Sequence, residues 1–259
     1  MAQTLSLENI AKVLKEQQKV VSVLDEYIQP IPLVPLDINN NSNYFADIVM
    51  QHIFLNIRHS YQDSIFISQA LIDNTPYYIS TALSHALRIG REFLIDLAYL
   101  VRDRKNRKGK NKGNEYLRYL KFMIDKEDKA LDKSPLPEVI YNPTELDLKS
   151  KYPTQWSRTD RDNKIKQGLN FYKLELPDSA YYGSDVNRSL SSAAHGNISA
   201  THILKLTSEE KLLKLRADLT ASVKFFNVLL KSALKCYVKL YLGRNRDYRE
   251  LVKSINFNE

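Results

Sequence analysis

Glycine is scarce in this 259-residue chain, with seven in all. An all-β domain of this size needs frequent turns built from residues that tolerate positive φ, so the scarcity argues against one and for long regular helices. Cysteine is scarcer still: the single Cys236 excludes an internal disulfide and fits a reducing compartment. Long apolar runs are missing too. The richest stretch, Phe93 to Val101, is broken by Asp96, and Val223 to Leu242 carries Lys224, Lys231, Lys235 and Lys239. Neither reads as a membrane span. The opening MAQTLSLENIAKVLKEQQ lacks the basic start and apolar run of a secretory signal. These absences predict a cytoplasmic protein that does not enter the membrane.

What is abundant is basic charge. Thirty-eight Lys and Arg against thirty Asp and Glu leave a net charge of +8, and the pI is near 9.3. That balance favours polyanionic partners, RNA among them. Sixteen tyrosines offer either core filling or flat surfaces for bases.

Helical periodicity organises the chain into one domain over 1–259. An N-terminal helix is expected over 6–28, started by Ser6 with Asn9 and carrying Leu7, Ile10, Val13, Leu14, Val20, Val21, Leu24 and Ile28. PIPLVP then ends it, because proline fixes φ and removes amide donors. Further helices are expected over about 44–71, 77–103, from 114 onward, 160–174, after Ser184 or Asp185, from Ser208 through Leu242, and over 248–255. The expected fold is all-α, a bundle of about seven or eight helices with a long irregular insertion at 133–159, marked by Pro135, Pro137, Pro143 and Pro153.

RDRKNRKGKNK, from Arg102 to Lys112, holds seven basic residues, one acid and no apolar anchor. By composition it is a flexible basic loop over 102–113, with Arg104, Lys105, Arg107, Lys108, Lys110 and Lys112 as candidate RNA contacts; the other reading is a solvated hairpin between helices. In the third helix Arg88, Arg91, Glu92 and Asp96 form either the wall of a cleft or an intrahelical charge network. His52 and His59, like His195 and His202, are seven apart. No metal site is expected, because zinc needs three or four convergent ligands and Cys236 sits among apolar neighbours in another helix.

Arg188 and His195 are the candidate catalytic pair. Seven residues at about 100° each bring them back to within about 20° on one helix face, about 10 Å apart along the axis. Leaning toward the helix N-terminus, the two side chains can converge on one phosphate, Arg188 as a fixed cation and His195 as a base that titrates near neutrality. Ser189, Ser191, Ser192, Ala193, Ala194 and Gly196 are small. They give the pair a low surface for a substrate, or equally for a close helix crossing that buries His195.

Arg188-x6-His195, late in a helical chain, resembles the Arg-x4–6-His signature of the HEPN superfamily. ALRIGREFLIDLAYL in an early helix, followed after a long gap by YYGSDVNRSLSSAAHGN, is similar to a bacterial helical family of unknown function related to it. The resemblance covers about Ala82 to Leu206. It implies a HEPN-like domain acting as a metal-independent endoribonuclease of the kind found in toxin and phage-defence systems. No cofactor is implied. Partners implied are RNA, a second copy of the chain in a homodimer, and an antitoxin or defence-system protein. In the family, Asn, Asp or His often follows the motif arginine; here Ser189 follows it and Asn187 precedes it. The other expectation is a non-catalytic helical module that binds a protein or nucleic acid.

Overall fold

The computed structural model describes residues 4–27, 42–73, 81–102, 116, 119, 159–174 and 206–237. Among them the regular structure is all helix, with no strand: α1 (Leu7–Tyr27), α2 (Ser42–Asp73), α3 (Thr81–Arg102), α4 (Arg161–Ile165), a π-helical turn (Lys166–Asn170) and α5 (Ser208–Leu234). The expected helices after Ser184 and over 248–255, and 133–158 of the insertion, fall outside the described residues; of the helix expected from 114, Tyr116 and Tyr119 are described, both helical.

The chain divides into two compact units. The first takes 1–29, 54–94 and 173–259; the second takes 30–53 and 95–172. Helices α2 and α3 each contribute to both.

In the first unit, local chemistry sets where helices begin. Ser6 accepts the Asn9 amide through its hydroxyl at 3.2 Å, satisfying one of the donors a helix start leaves over. At α5 the cap is Thr207, one residue earlier than the expected Ser208. Its hydroxyl accepts from the Glu210 amide at 3.3 Å while the Glu210 carboxylate accepts from the Thr207 amide at 2.8 Å. This reciprocal pair makes Thr207 the better cap.

Helix α1 buries Ile10, Leu14, Gln17, Val21 and Leu24. The steps of four and three define a narrow seam of the coiled-coil type. The seam lies on α5, and the two helices run in the same direction. At the start, the Leu5 amide donates to the Thr220 hydroxyl at 3.1 Å, and Arg216 Nε donates to the Leu5 carbonyl at 3.1 Å. Further along both helices, Gln17 Nε2 donates to the Val223 carbonyl.

Helix α2 runs antiparallel to α5. Phe54 stacks on Tyr237 with ring centroids 4.7 Å apart, and Tyr61 meets Phe226 edge-on at 6.3 Å. Around and past Tyr61, the buried face of α2 turns small and polar, with Ser60, Ser64 and Ser68. Ser60 and Ser64 return their hydroxyls to backbone carbonyls of their own helix, so burial leaves neither unsatisfied. Small residues let α3 come close. Gly90 sits where a Cβ would lie 3.3 Å from Ser60 Cβ and 2.6 Å from Leu229 Cδ2.

In the second unit, Asp160 caps α4 by accepting the Asn163 amide at 2.9 Å. That bond holds the Asp160 carboxyl below the usual carboxylate range. The winding then widens into the π turn. The helix stops at Lys173, whose φ of 51° is left-handed, four positions before Pro177. Gly168 lies within the π turn, flat against α3. A Cβ there would be 2.6 Å from the Tyr99 amide nitrogen and 2.7 Å from the Ala98 carbonyl carbon. Only glycine admits that backbone approach.

On α3 Leu83, Leu87, Leu94, Leu97 and Leu100, which recur at helical spacing, are all buried, joined by Ile95, Ala98, Tyr99 and Val101. Phe93 is half-buried. Each buried leucine contributes about 1.5–3 kcal/mol relative to exposure.

Candidate functional site

The catalytic candidates Arg188 and His195 lie outside the described residues, as do the candidate RNA contacts Arg104, Lys105, Arg107, Lys108, Lys110 and Lys112. The described residues hold three polar constellations, each within one unit.

The first unites α1, α2 and α5 in the first unit. Gln17 Nε2 reaches Asn227 Oδ1 at 2.7 Å, and the Tyr61 hydroxyl donates to the same oxygen at 3.1 Å. Burial pushes the Tyr61 phenol far above its ordinary value, so it acts as a fixed neutral donor and not as a base. Gln17 Oε1 is buried with no hydrogen-bond partner. One turn before Tyr61, Arg58 bridges helices: its Nη1 donates to Gln62 Oε1 at 2.6 Å and its Nη2 to Asp25 Oδ2 of α1. These groups bind one another and hold no nucleophile, so the cluster orders helices.

The second constellation surrounds Asp96 in the second unit. Lys164 Nζ of α4 lies 2.8 Å from Asp96 Oδ1, with side chains 10% and 18% exposed. At that depth solvent screens little, and the pair is a structural commitment. Tyr116 nearby has its phenol pushed well up, first by burial and then by the Asp96 charge. Tyr99 and Thr159 share a hydroxyl hydrogen bond at 2.9 Å. Asp96 therefore reaches across to another helix, where an intrahelical network was one of the two expectations; Arg91 is buried and Arg88 exposed.

At the end of α3 stands the third. The Arg102 guanidinium lies 4.9 Å above the Phe171 ring centroid, and Phe171 meets Tyr172 edge-on at 5.0 Å. Unlike Tyr61, Tyr99, Tyr116 and Tyr237, which are core residues, Phe171 is 60% exposed.

No group of three or more His, Cys, Asp or Glu positioned for a metal occurs among the described residues. His52 and His59 are both exposed. Cys236 is buried and forms no disulfide. Of the lysines that interrupt Val223 to Leu242, Lys231 and Lys235 face solvent, Lys224 is half-buried and Lys239 lies outside the described residues. No described helix is long and apolar enough to cross a membrane.

Two of these features escaped the sequence reading. Gln17 carries a signal, since it interrupts the apolar seam between Leu14 and Val21. The Lys164 partnership with Asp96 carries none, because the two are 68 positions apart.

Compared with protein-family models, curated proteins and solved structures, the chain matches none.

Proposed function

We propose that the chain is a HEPN-like, metal-independent endoribonuclease of the toxin or phage-defence kind, acting in the cytoplasm as a homodimer. The observation that carries the reading is the Arg188-x6-His195 spacing, set among small residues late in the chain. Net charge of +8 and the all-helical character of the described residues support it.

In this mechanism His195 accepts the proton of an RNA 2′-hydroxyl, and the oxygen attacks the adjacent phosphorus. The O2′–P bond forms and the P–O5′ bond breaks. Arg188 offsets the charge that builds on the phosphorane oxygens. The protonated imidazole gives its proton to the leaving 5′ oxygen, so the products are a 2′,3′-cyclic phosphate and a 5′-hydroxyl and His195 is neutral again. A second copy brings a second Arg188/His195 helix to the same cleft, where the small residues allow close approach. Arg104, Lys105, Arg107, Lys108, Lys110 and Lys112 contact the phosphates.

Total RNA incubated with the protein in EDTA tests this. Cleavage that survives chelation and disappears in Arg188→Ala and His195→Ala supports it; intact RNA with all three proteins removes it.

Ser189 favours a second reading. Where the family often has Asn, Asp or His after the motif arginine, a serine points to a non-catalytic module that binds RNA or a partner protein through the same helix. Binding without cutting is its signature.

A further inference from the structure

Phe171 leaves 60% of its surface exposed, and the local winding accounts for its place. It follows the π turn, whose i→i+5 winding sets Lys166 one turn before it, and Lys166 is also exposed. Arg102, the last residue of α3, holds its guanidinium 4.9 Å above the ring. No carboxylate among the described residues neutralises Arg102.

The position of Gly168 explains how the ring comes to be there. Its contact with the Ala98–Tyr99 backbone brings the π turn against the last turns of α3. Lys164 and Asp96, nearly two turns of α3 back from Arg102, fasten the same two segments through a buried ion pair. A seat built on these contacts therefore presents one aromatic face and one cation side by side. From Arg102 the chain continues directly into the run that places seven basic residues in eleven.

We infer that Phe171 and Arg102 form a stacking platform for single-stranded RNA, the ring taking a base and the guanidinium the neighbouring phosphate. Every base has a π face, so an exposed aromatic beside the Arg102 guanidinium suits a single strand without demanding a sequence. A duplex hides its base faces and gains nothing from the ring. An anionic lipid surface would use the charge and leave the aromatic geometry unused. The inference goes beyond the cleavage reading, since stacking needs neither Arg188 nor His195; it rests on that reading only in choosing RNA over DNA.

The test uses the full-length His195→Ala chain, so that bound RNA stays intact, with a fluorescein-labelled oligouridylate in EDTA at about 50 mM salt, where phosphate contacts are little screened. Phe171→Leu is expected to weaken binding about tenfold, the loss typical of one stacked base. Phe171→Trp is expected to bind as well as Phe or better, with its fluorescence quenched by the oligonucleotide beyond any quenching of Trp156. Phe171→Leu binding that stays within about twofold overturns the platform. So does an equal loss toward duplex RNA or toward vesicles of phosphatidylserine. A Phe171→Trp chain that binds without the added quenching overturns it as well. Should wild-type protein leave RNA uncut while the Phe171 dependence persists, the cleavage reading fails and the platform stands; the converse pair of results sinks the platform alone.

Discussion

Gln17 of α1 donates to the Asn227 side-chain oxygen of α5 at 2.7 Å, in the middle of an otherwise apolar seam. One polar position in such a seam fixes register and partner at some cost in stability. Here the cost is visible in Gln17 Oε1, buried without a partner.

Gln17→Leu is therefore expected to leave stability unchanged or raise it by about 1 kcal/mol, because the orphaned oxygen goes and Asn227 keeps the Tyr61 hydroxyl. Asn227→Leu is expected to cost about 1–3 kcal/mol, since it strands the Tyr61 hydroxyl in the core. Urea midpoints measure both. The opposite order would contradict the node.

Gly90 and Gly168, the buried glycines among the described residues, should separate cleanly. At Gly168 a methyl group meets the α3 backbone, which cannot yield, and Gly168→Ala is expected to cost about 1–3 kcal/mol or more. At Gly90 the 2.6 Å neighbour is the end of the Leu229 side chain, which can turn aside. The gain in helix propensity, about 1 kcal/mol, then offsets much of the strain. Thermal midpoints check the ranking.

Buried charge should show the same asymmetry at Lys164 and Asp96. Lys164→Met removes one partner of the mostly buried Asp96 carboxylate and is expected to cost about 1–3 kcal/mol. Adding Asp96→Leu in the same chain is expected to cost less than the two single losses together. Denaturation of the single and double variants decides it, and additive losses would rule out the pair as the cause.

Alkaline stability follows from Tyr61 and Tyr116. Both phenols are raised in the folded chain, chiefly by burial. Once pH passes about 10 the unfolded chain has released protons that the folded chain still holds, so stability falls as pH rises and is fully present below that value. Urea midpoints across that range are expected to decline more gently in Tyr61→Phe than in wild type.

The helices were legible because burial follows period. Ser6, Asp160 and the leucines of α3 sit where spacing and capping chemistry put them, and the glycine shortage correctly indicated helix. Local chemistry also misled by one residue at Thr207, where the reciprocal bond with Glu210 outweighs the serine that follows. What spacing could not give was the company each side chain keeps. Asp96 looks like one more helix-surface acid until Lys164 arrives from another element, and Phe171 looks like core until the π turn rotates it outward. For Arg188 and His195 the sequence supplies a spacing, and both lie outside the described residues.

The chemistry of the cut ends tests the central claim most directly. RNA exposed to the wild-type protein in EDTA is expected to carry 2′,3′-cyclic phosphates and 5′-hydroxyls by mass spectrometry, with none from His195→Ala. Ends bearing 3′-hydroxyls and 5′-phosphates, or cyclic ends that persist without His195, would contradict it.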